Sequence, residues 1–349
     1  MAHQPGSVAP RRGFLPREAA RNSFEGRYPR HIYAALDLGT NNCRLLIARP
    51  SLDGFTVVDA FSRIVRLGEG LAATGRLSDA AMDRAVAALA ICADKLQRRR
   101  VTLVRSVATE ACRRADNGRE FVERVHRETG IMLDIITPEQ EARLAVLGCH
   151  ALLEPGAGPA LIFDIGGGST ELVLIETDGD LPRIVEWFSA PWGVVSLTES
   201  EPHDWAGRDD RLAAYTRMRA RVADAFSPFA GAVAASGHAP TRLLGTSGTV
   251  TTLASLHLGL ATYDRRAVDG LIVPAQSMRD ISERLSGMSV DERAALPCIG
   301  TERADLVVAG CAILEAIIDL WPAERLGVAD RGIREGILRS LMAREGPLA

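Results

Sequence analysis

Two Asp-x-Gly turns carry the residue types that grip phosphate, and they occur in matching settings. Residues 34–47 read AALDLGTNNCRLLI and residues 161–174 read LIFDIGGGSTELVL. Laid in register, Asp37 meets Asp164, Gly39 meets Gly166, Asn42 meets Ser169 and Arg44 meets Glu171. In the second copy Gly166, Gly167 and Gly168 let backbone N–H groups turn towards an anion with no Cβ in the way. Ser169 and Thr170 add hydroxyl donors. Asp164, at the end of an apolar run, is a hard oxygen ligand of the kind Mg²⁺ takes. The first copy keeps only Gly39, and Thr40, Asn41 and Asn42 supply side-chain donors instead. Alone it would pass for an Asx-turn; its match to the second copy makes it a second phosphate loop.

Three further segments hold candidate chemistry. Gly245-Thr246-Ser247-Gly248 follows a short apolar strand and opens a helix, which aims backbone amides at an anion. A plain small-residue helix cap is the competing explanation. Glu139-Gln140-Glu141-Ala142-Arg143 begins another helix. A carboxylate there could activate water, although by residue type alone an acid favouring the helix dipole explains it better. Arg113 belongs to a run of arginines interleaved with glutamates, much of which must be a solvated helix face. It is the one chosen for a phosphate contact, because a guanidinium fork binds phosphate bidentately. The seven histidines form no cluster. Cys43 and Cys112 lie near these segments, where packing is the expected role.

The elements that must position these residues repeat. A hairpin over 31–49 precedes a strand over 55–66 and a helix from Ser78-Asp79 to about Arg98. A strand at Val101–Val107, a helix within 108–129, a strand at Leu133–Ile136 and a helix from Thr137 follow. After the breaker Pro155–Pro159 the order restarts. A hairpin lies at 160–176, a strand near 183–189, a helix over 208–229 and a strand at Arg242–Leu244. Helices are expected near 276–286 and 301–320, then a strand over 325–329 and a terminal helix. The repetition argues for duplicated α/β domains with mixed sheets. The expected division is a disordered basic tail over 1–30, a first domain over 31–137 and a second over 138–349, with 138–156 as hinge helix and linker.

The chain has 349 residues, 47% of them hydrophobic and 24% charged, enough for two cores of ordinary soluble type. A net charge of −3 does not suit a general nucleic-acid binder. Six cysteines without a CxxC pair argue against a zinc or disulfide scaffold and fit a reducing cytoplasm. No apolar run reaches the length of a membrane span. The first thirty residues carry six Arg against two Glu and lack the apolar core of a secretory signal.

Taken together, ALDLGTNNCRLLIA, SVATEACRRADNG, ITPEQEARL, FDIGGGSTELVL, LLGTSGTVTTLA, ERADLVVAGCAIL and VADRGIREGIL resemble the exopolyphosphatase / guanosine pentaphosphate phosphohydrolase (Ppx/GppA) family. That family belongs to the superfamily of acetate and sugar kinases, heat-shock 70 proteins and actin. The resemblance spans about 31–345. It implies two actin-like (ribonuclease H-like) domains with mixed five-stranded sheets and an active site in the cleft between them. It implies hydrolysis of a terminal phosphoanhydride, in inorganic polyphosphate or in guanosine pentaphosphate (pppGpp). By position, Glu141 becomes the general base and Glu171 the second essential carboxylate. Asp164 and Asp37 would place Mg²⁺, and Gly166 to Thr170 would cradle the terminal phosphate with help from Arg113. A homodimer is consistent with the family. Longer members add a helical C-terminal part, whereas this chain matches the short form, which implies less enclosure of very long substrates. A kinase-like phosphotransferase and a non-catalytic sensor are the competing functions; the EQEARL segment and the two intact glutamates argue against them.

Overall fold

The structure is a computed structural model that describes residues 31–52, 54–177 and 182–345. The expected basic tail lies outside the described residues. In the first sheet, β1 (Tyr33–Leu38), β2 (Asn42–Ser51), β3 (Gly54–Ile64), β4 (Leu103–Ala108) and β5 (Asp134–Ile135) take the order β3-β2-β1-β4-β5. β1 pairs antiparallel with β2 and parallel with β4. In the second sheet, β6 (Ala160–Ile165), β7 (Thr170–Glu176), β8 (Arg183–Ala190), β9 (Arg242–Thr246), β10 (Ile272–Pro274) and β11 (Arg325–Ala329) take the order β10-β11-β9-β6-β7-β8. The pairing senses of β6 repeat those of β1, antiparallel to β7 and parallel to β9. The duplication read from the two turns is therefore a duplication of whole sheets. The central strands β1 and β6 have cores on both faces, which is why they read as nearly unbroken apolar runs.

The second sheet has six strands, not the five expected. β10 adds three residues antiparallel to the outer edge of β11, and Pro274 ends it, as suits an edge strand with no donor to spare. Three residues are too few to display a period of two. A helix at Val194–Ser200, directly after β8, is also additional to the expected elements. The helix from Arg208 runs on to Ala235 with Pro228 inside it, past the limit of 229. The helix expected from 301 begins at Val307. In the six residues before it, the carbonyls of Glu302 and Ala304 accept from Arg66 and Arg293, and the chain turns instead of winding regularly.

Two helices cross between the halves. The hinge helix, Pro138–Cys149, starts with a capping box: Thr137 accepts from the Gln140 amide at 3.2 Å and Gln140 accepts from the Thr137 amide at 3.0 Å. Its apolar face, with Ala142, Val146 and Cys149, packs on Ile162, Val173 and Ile175 of the second sheet. The terminal helix, Ile333–Glu345, instead buries Ile337, Leu338, Leu341 and Met342 against Tyr33, Ala35, Leu46 and Val107 of the first sheet. The opposite faces of the two sheets carry the larger separate cores of each half.

Candidate active site

The two Asp-x-Gly turns face one another across a cleft. Each sits where the inner strand of its sheet, β1 or β6, reverses into the next. Within each turn the first glycine N–H donates to the carbonyl three residues on, Gly39 to Asn42 and Gly166 to Ser169, both at 2.9 Å. The glycines of the second turn have a reason beyond backbone freedom. A Cβ on Gly167 would lie 2.9 Å from Cβ of Thr40, and one on Gly168 would lie 2.8 Å from the Thr40 hydroxyl. Thr40 of one half rests directly on the glycines of the other, so side chains there would hold the cleft apart.

Five carboxylates line this cleft: Asp37, Glu110, Glu141, Asp164 and Glu171. Asp37 and Asp164 end the inner strands, and across the ladders Asp37 pairs with Arg44 while Asp164 pairs with Glu171. Glu141 reaches in from the first turn of the hinge helix and is 5% exposed; Glu171 is 2% exposed. Burial pushes the carboxyl of Glu141 well above the ordinary carboxylate range, and the charge of Glu171 adds to it while Arg113 opposes. Asp164 is raised to about 8 by burial and by Glu171, against the pull of Arg44. Asp37 is raised by burial, and Arg44 and Arg334 counter this. Burial also raises Glu171, although the hydroxyls of Ser169 and Ser189 donate to its Oε1 at 2.7 and 2.9 Å. Such a cluster is poised to hold a cation or a proton, and shifts of this kind mark functional sites. One oxygen of Asp37, Oδ1, is buried without a hydrogen-bond partner. Among the described residues no three His, Cys, Asp or Glu side chains converge as a metal cage. A cation here would therefore take one or two carboxylates and complete its shell with water, which is the habit of Mg²⁺.

Of the residues expected to hold phosphate, Gly39, Thr40, Asn41, Asn42, Gly166, Gly167, Gly168, Ser169, Ser247 and Gly248 line the cleft. Thr170, Gly245, Thr246 and Arg113 are placed otherwise. The Thr170 hydroxyl donates to the Trp192 carbonyl at 2.7 Å. Gly245 packs on the Phe163 ring, and Thr246 donates to the Arg331 carbonyl at 2.7 Å. Arg113 is engaged by carboxylates: its Nη2 donates to Glu110 at 2.6 Å and its Nη1 to Glu141 at 3.1 Å and to the Ile136 carbonyl at 2.7 Å. It orients Glu141 in this arrangement. Cys43 and Cys112 are both buried, in keeping with packing roles.

Sequence reasoning missed several lining residues. Arg44 brings a positive charge to the cleft, and its position opposite Glu171 in the aligned turns was the available signal. Glu110 and Arg303 lie inside segments already singled out, ATEAC and ERADL, with nothing in their spacing to mark them. Thr252, which accepts from Arg303 Nη1 at 3.3 Å, gives no signal in the sequence. Ser247 sits at φ 152°, ψ 171°, a backbone region largely reserved for glycine. Its hydroxyl accepts from the Val250 amide at 3.3 Å and caps the helix Gly248–His257.

A two-domain actin-like fold with a carboxylate-lined cleft between facing glycine turns belongs to a class of phosphate-transferring and phosphate-releasing enzymes. Within that class the chain belongs to the Ppx/GppA phosphatase family, whose model matches residues 46–345, and it is a phosphoanhydride hydrolase. It is 33% identical over 328 residues to exopolyphosphatase 2 of Mycobacterium tuberculosis, covering 88% of this chain and 98% of that protein. The crystal structure of the Aquifex aeolicus Ppx/GppA family member superposes with a TM-score of 0.73 at 29% identity, covering 91% of this chain and 100% of that one. An exopolyphosphatase from Cytophaga hutchinsonii superposes with a TM-score of 0.80 at 25% identity, covering 90% and 98%.

Proposed function

We propose that the protein is an exopolyphosphatase, which hydrolyses the terminal phosphoanhydride of inorganic polyphosphate and releases orthophosphate. The observation that carries this reading is Glu141. It is a buried carboxylate held by Arg113 at the edge of the cleft where the GGGST turn and the DLGTNN turn meet. Its raised proton affinity makes it a stronger base than an exposed glutamate once ionised. The curated relative at 33% identity is an exopolyphosphatase, which supports polyphosphate as the substrate.

In this reading the terminal phosphate sits between the turns, against Gly166, Gly167, Gly168 and Ser169 on one side and Thr40, Asn41 and Asn42 on the other. Glu141 takes a proton from water as the water oxygen attacks phosphorus. The bridging P–O bond breaks, and the shortened chain leaves with the electron pair. Glu171, pinned by two serine hydroxyls, is the second carboxylate beside the reacting phosphate. Arg44 and Arg303 neutralise the polyanion, since phosphoryl transfer depends mainly on placement and charge. Asp37 and Asp164 would hold Mg²⁺, which supplies charge neutralisation at the phosphate oxygens. The free cysteines among the described residues fit a cytoplasmic setting.

Initial rates of phosphate release from medium-chain polyphosphate and from guanosine pentaphosphate, at equal concentration with Mg²⁺, test the assignment. Polyphosphate should be the better substrate, and dominant turnover of the pentaphosphate would reassign the enzyme. Glu141→Gln should lower kcat by roughly 10²–10⁴-fold, the range for a lost general base, while leaving substrate binding in place. Turnover within a few-fold of the unmodified enzyme would remove Glu141 from that role.

A further inference from the structure

Arg303 enters the cleft from the turns that precede the helix Val307–Leu320, and these turns are gripped from two sides. From within the second half, the fully buried Arg293 donates from Nε to the Ala304 carbonyl at 2.8 Å. Its Nη1 donates to the Met288 carbonyl at 2.8 Å, which ties the grip to the end of the neighbouring helix. From the other half, Arg66 reaches across the cleft. Its Nη1 donates to Asp305 Oδ2 at 2.9 Å and its Nη2 to the Glu302 carbonyl at 3.2 Å. The two contacts flank Arg303 in sequence. Arg66 is itself tied to the first phosphate turn, because its backbone N–H donates to the Asn41 carbonyl at 3.1 Å. The Val65 amide donates to the same carbonyl at 2.9 Å, and the Gly68 amide donates to Thr40. The backbone of Arg66 lies at φ 46°, in the left-handed region that a non-glycine residue enters at a cost.

We infer that Arg66 is a positioning residue for Arg303: by clamping Glu302 and Asp305 across the cleft, it sets the Arg303 guanidinium against the substrate only when the two halves are closed. Arg293 is the fixed inner anchor and Arg66 the contact made or broken by domain motion. A left-handed arginine at the clamp has a reason on this view. Glycine would suit the backbone better, but only a long cationic side chain spans the cleft. Grip on the polyanion is thereby tied to closure, so that cleft shutting and completion of the cationic wall are one event. The inference rests on the reading of Arg303 as a substrate-facing cation.

A double-mutant cycle tests it, with phosphate release from medium-chain polyphosphate as the rate and melting temperature measured alongside. Arg66→Gln and Arg66→Gly should each raise KM about five-fold, the upper range for a partly exposed ion pair, with kcat little changed. Arg66→Gly should melt no lower than the unmodified protein, because glycine relieves the left-handed backbone. This separates the clamp from the stability of the fold. If Arg66 acts through Arg303, adding Arg66→Gln to Arg303→Gln should change KM no further. Multiplying effects in the double variant, or an unaltered KM in Arg66→Gly, would overturn the inference and leave the cleft assignment intact. An unaltered KM in Arg303→Gln would overturn it differently, by removing the cleft reading on which it rests.

Discussion

Asp37, Glu141, Asp164 and Glu171, two of them buried and two half-buried in one cleft, cannot all ionise cheaply. Each is raised first by burial, and Glu141 and Asp164 are raised further by the charge of Glu171. The arginines nearby divide the work of opposing this. Arg44 counters Asp37 and Asp164, while Arg113 counters Glu141. The difference between the two turns at Arg44 and Glu171 is thus the electrostatic design of the site: one hairpin carries an acid and a base across its ladder, the other two acids. A stability consequence follows for Asp164. Its folded-state proton affinity corresponds to about 8 against 3.8 for an ordinary aspartate. Between those values the folded state holds a proton that the unfolded chain has lost, so stability falls as pH rises through that window. Asp164→Asn removes the dependence. In metal-free buffer its melting temperature should exceed that of the unmodified protein at pH 8 and above, and the gap should close near pH 4. A gap that is constant from pH 4 to 9 would contradict the raised affinity. At this scale most of the residues picked from the sequence line the cleft, and geometry decides what each of them contacts. Arg113 was legible as a cation beside the site, but its capture by Glu110 and Glu141 depends on a helix turn and a hinge brought together in space. Thr170 and Thr246 have the right chemistry, yet the strand register turns both hydroxyls towards backbone carbonyls.

The hinge helix and the terminal helix join the halves through close mutual packing. They approach closely enough that glycine is obligatory at their contacts. A Cβ on Gly336 of the terminal helix would lie 2.0 Å from the Leu144 carbonyl oxygen, and one on Gly148 of the hinge helix 2.0 Å from that of Gly332. Both obstacles are backbone and cannot swing aside. Gly336→Ala should therefore destabilise the protein, despite alanine's better helix propensity, by about 1–3 kcal/mol as overpacked interiors do. Chemical denaturation would read this as a lower midpoint at unchanged slope; a midpoint equal to or above the original would show that the helices can part. Elements with strong local signals were legible from sequence. Ser78 before a long amphipathic run and the Thr137-Pro138-Glu139-Gln140 start are complete helix openings in themselves. The unforeseen elements lack local signals. β10 exists because β11 offers it an edge, and the turns before Val307 exist because arginines from elsewhere claim their carbonyls.

At the scale of the whole molecule the halves are interlocked. The hinge helix follows the last strand of the first sheet but lays Ala142, Val146 and Cys149 on the second and gives Leu144 to the first, while the helix Ile333–Glu345 returns to the first. Each sheet thus covers one face with a helix that lies beyond its own run of strands. The boundary drawn at 137 marks where the strands of the first sheet end, which differs from where burial is completed. This exchange lets Glu141, on the hinge helix, reach a cleft whose glycine turn belongs to the second sheet. It also makes the halves mutually dependent. Removing the terminal helix would uncover Tyr33, Ala35, Leu46 and Val107, all 3% exposed or less, and would expose an apolar face large enough to drive association. A chain ending at Gly332 should accordingly melt less cooperatively than the 349-residue chain, and proteolysis should begin in the first half, even though every residue removed belongs to the last part of the sequence. Circular dichroism melts and limited proteolysis of the truncated chain would measure this. A truncated protein that melts in one transition near the original temperature would show that the first sheet holds its own core, and that the exchanged helices serve the site and not the fold.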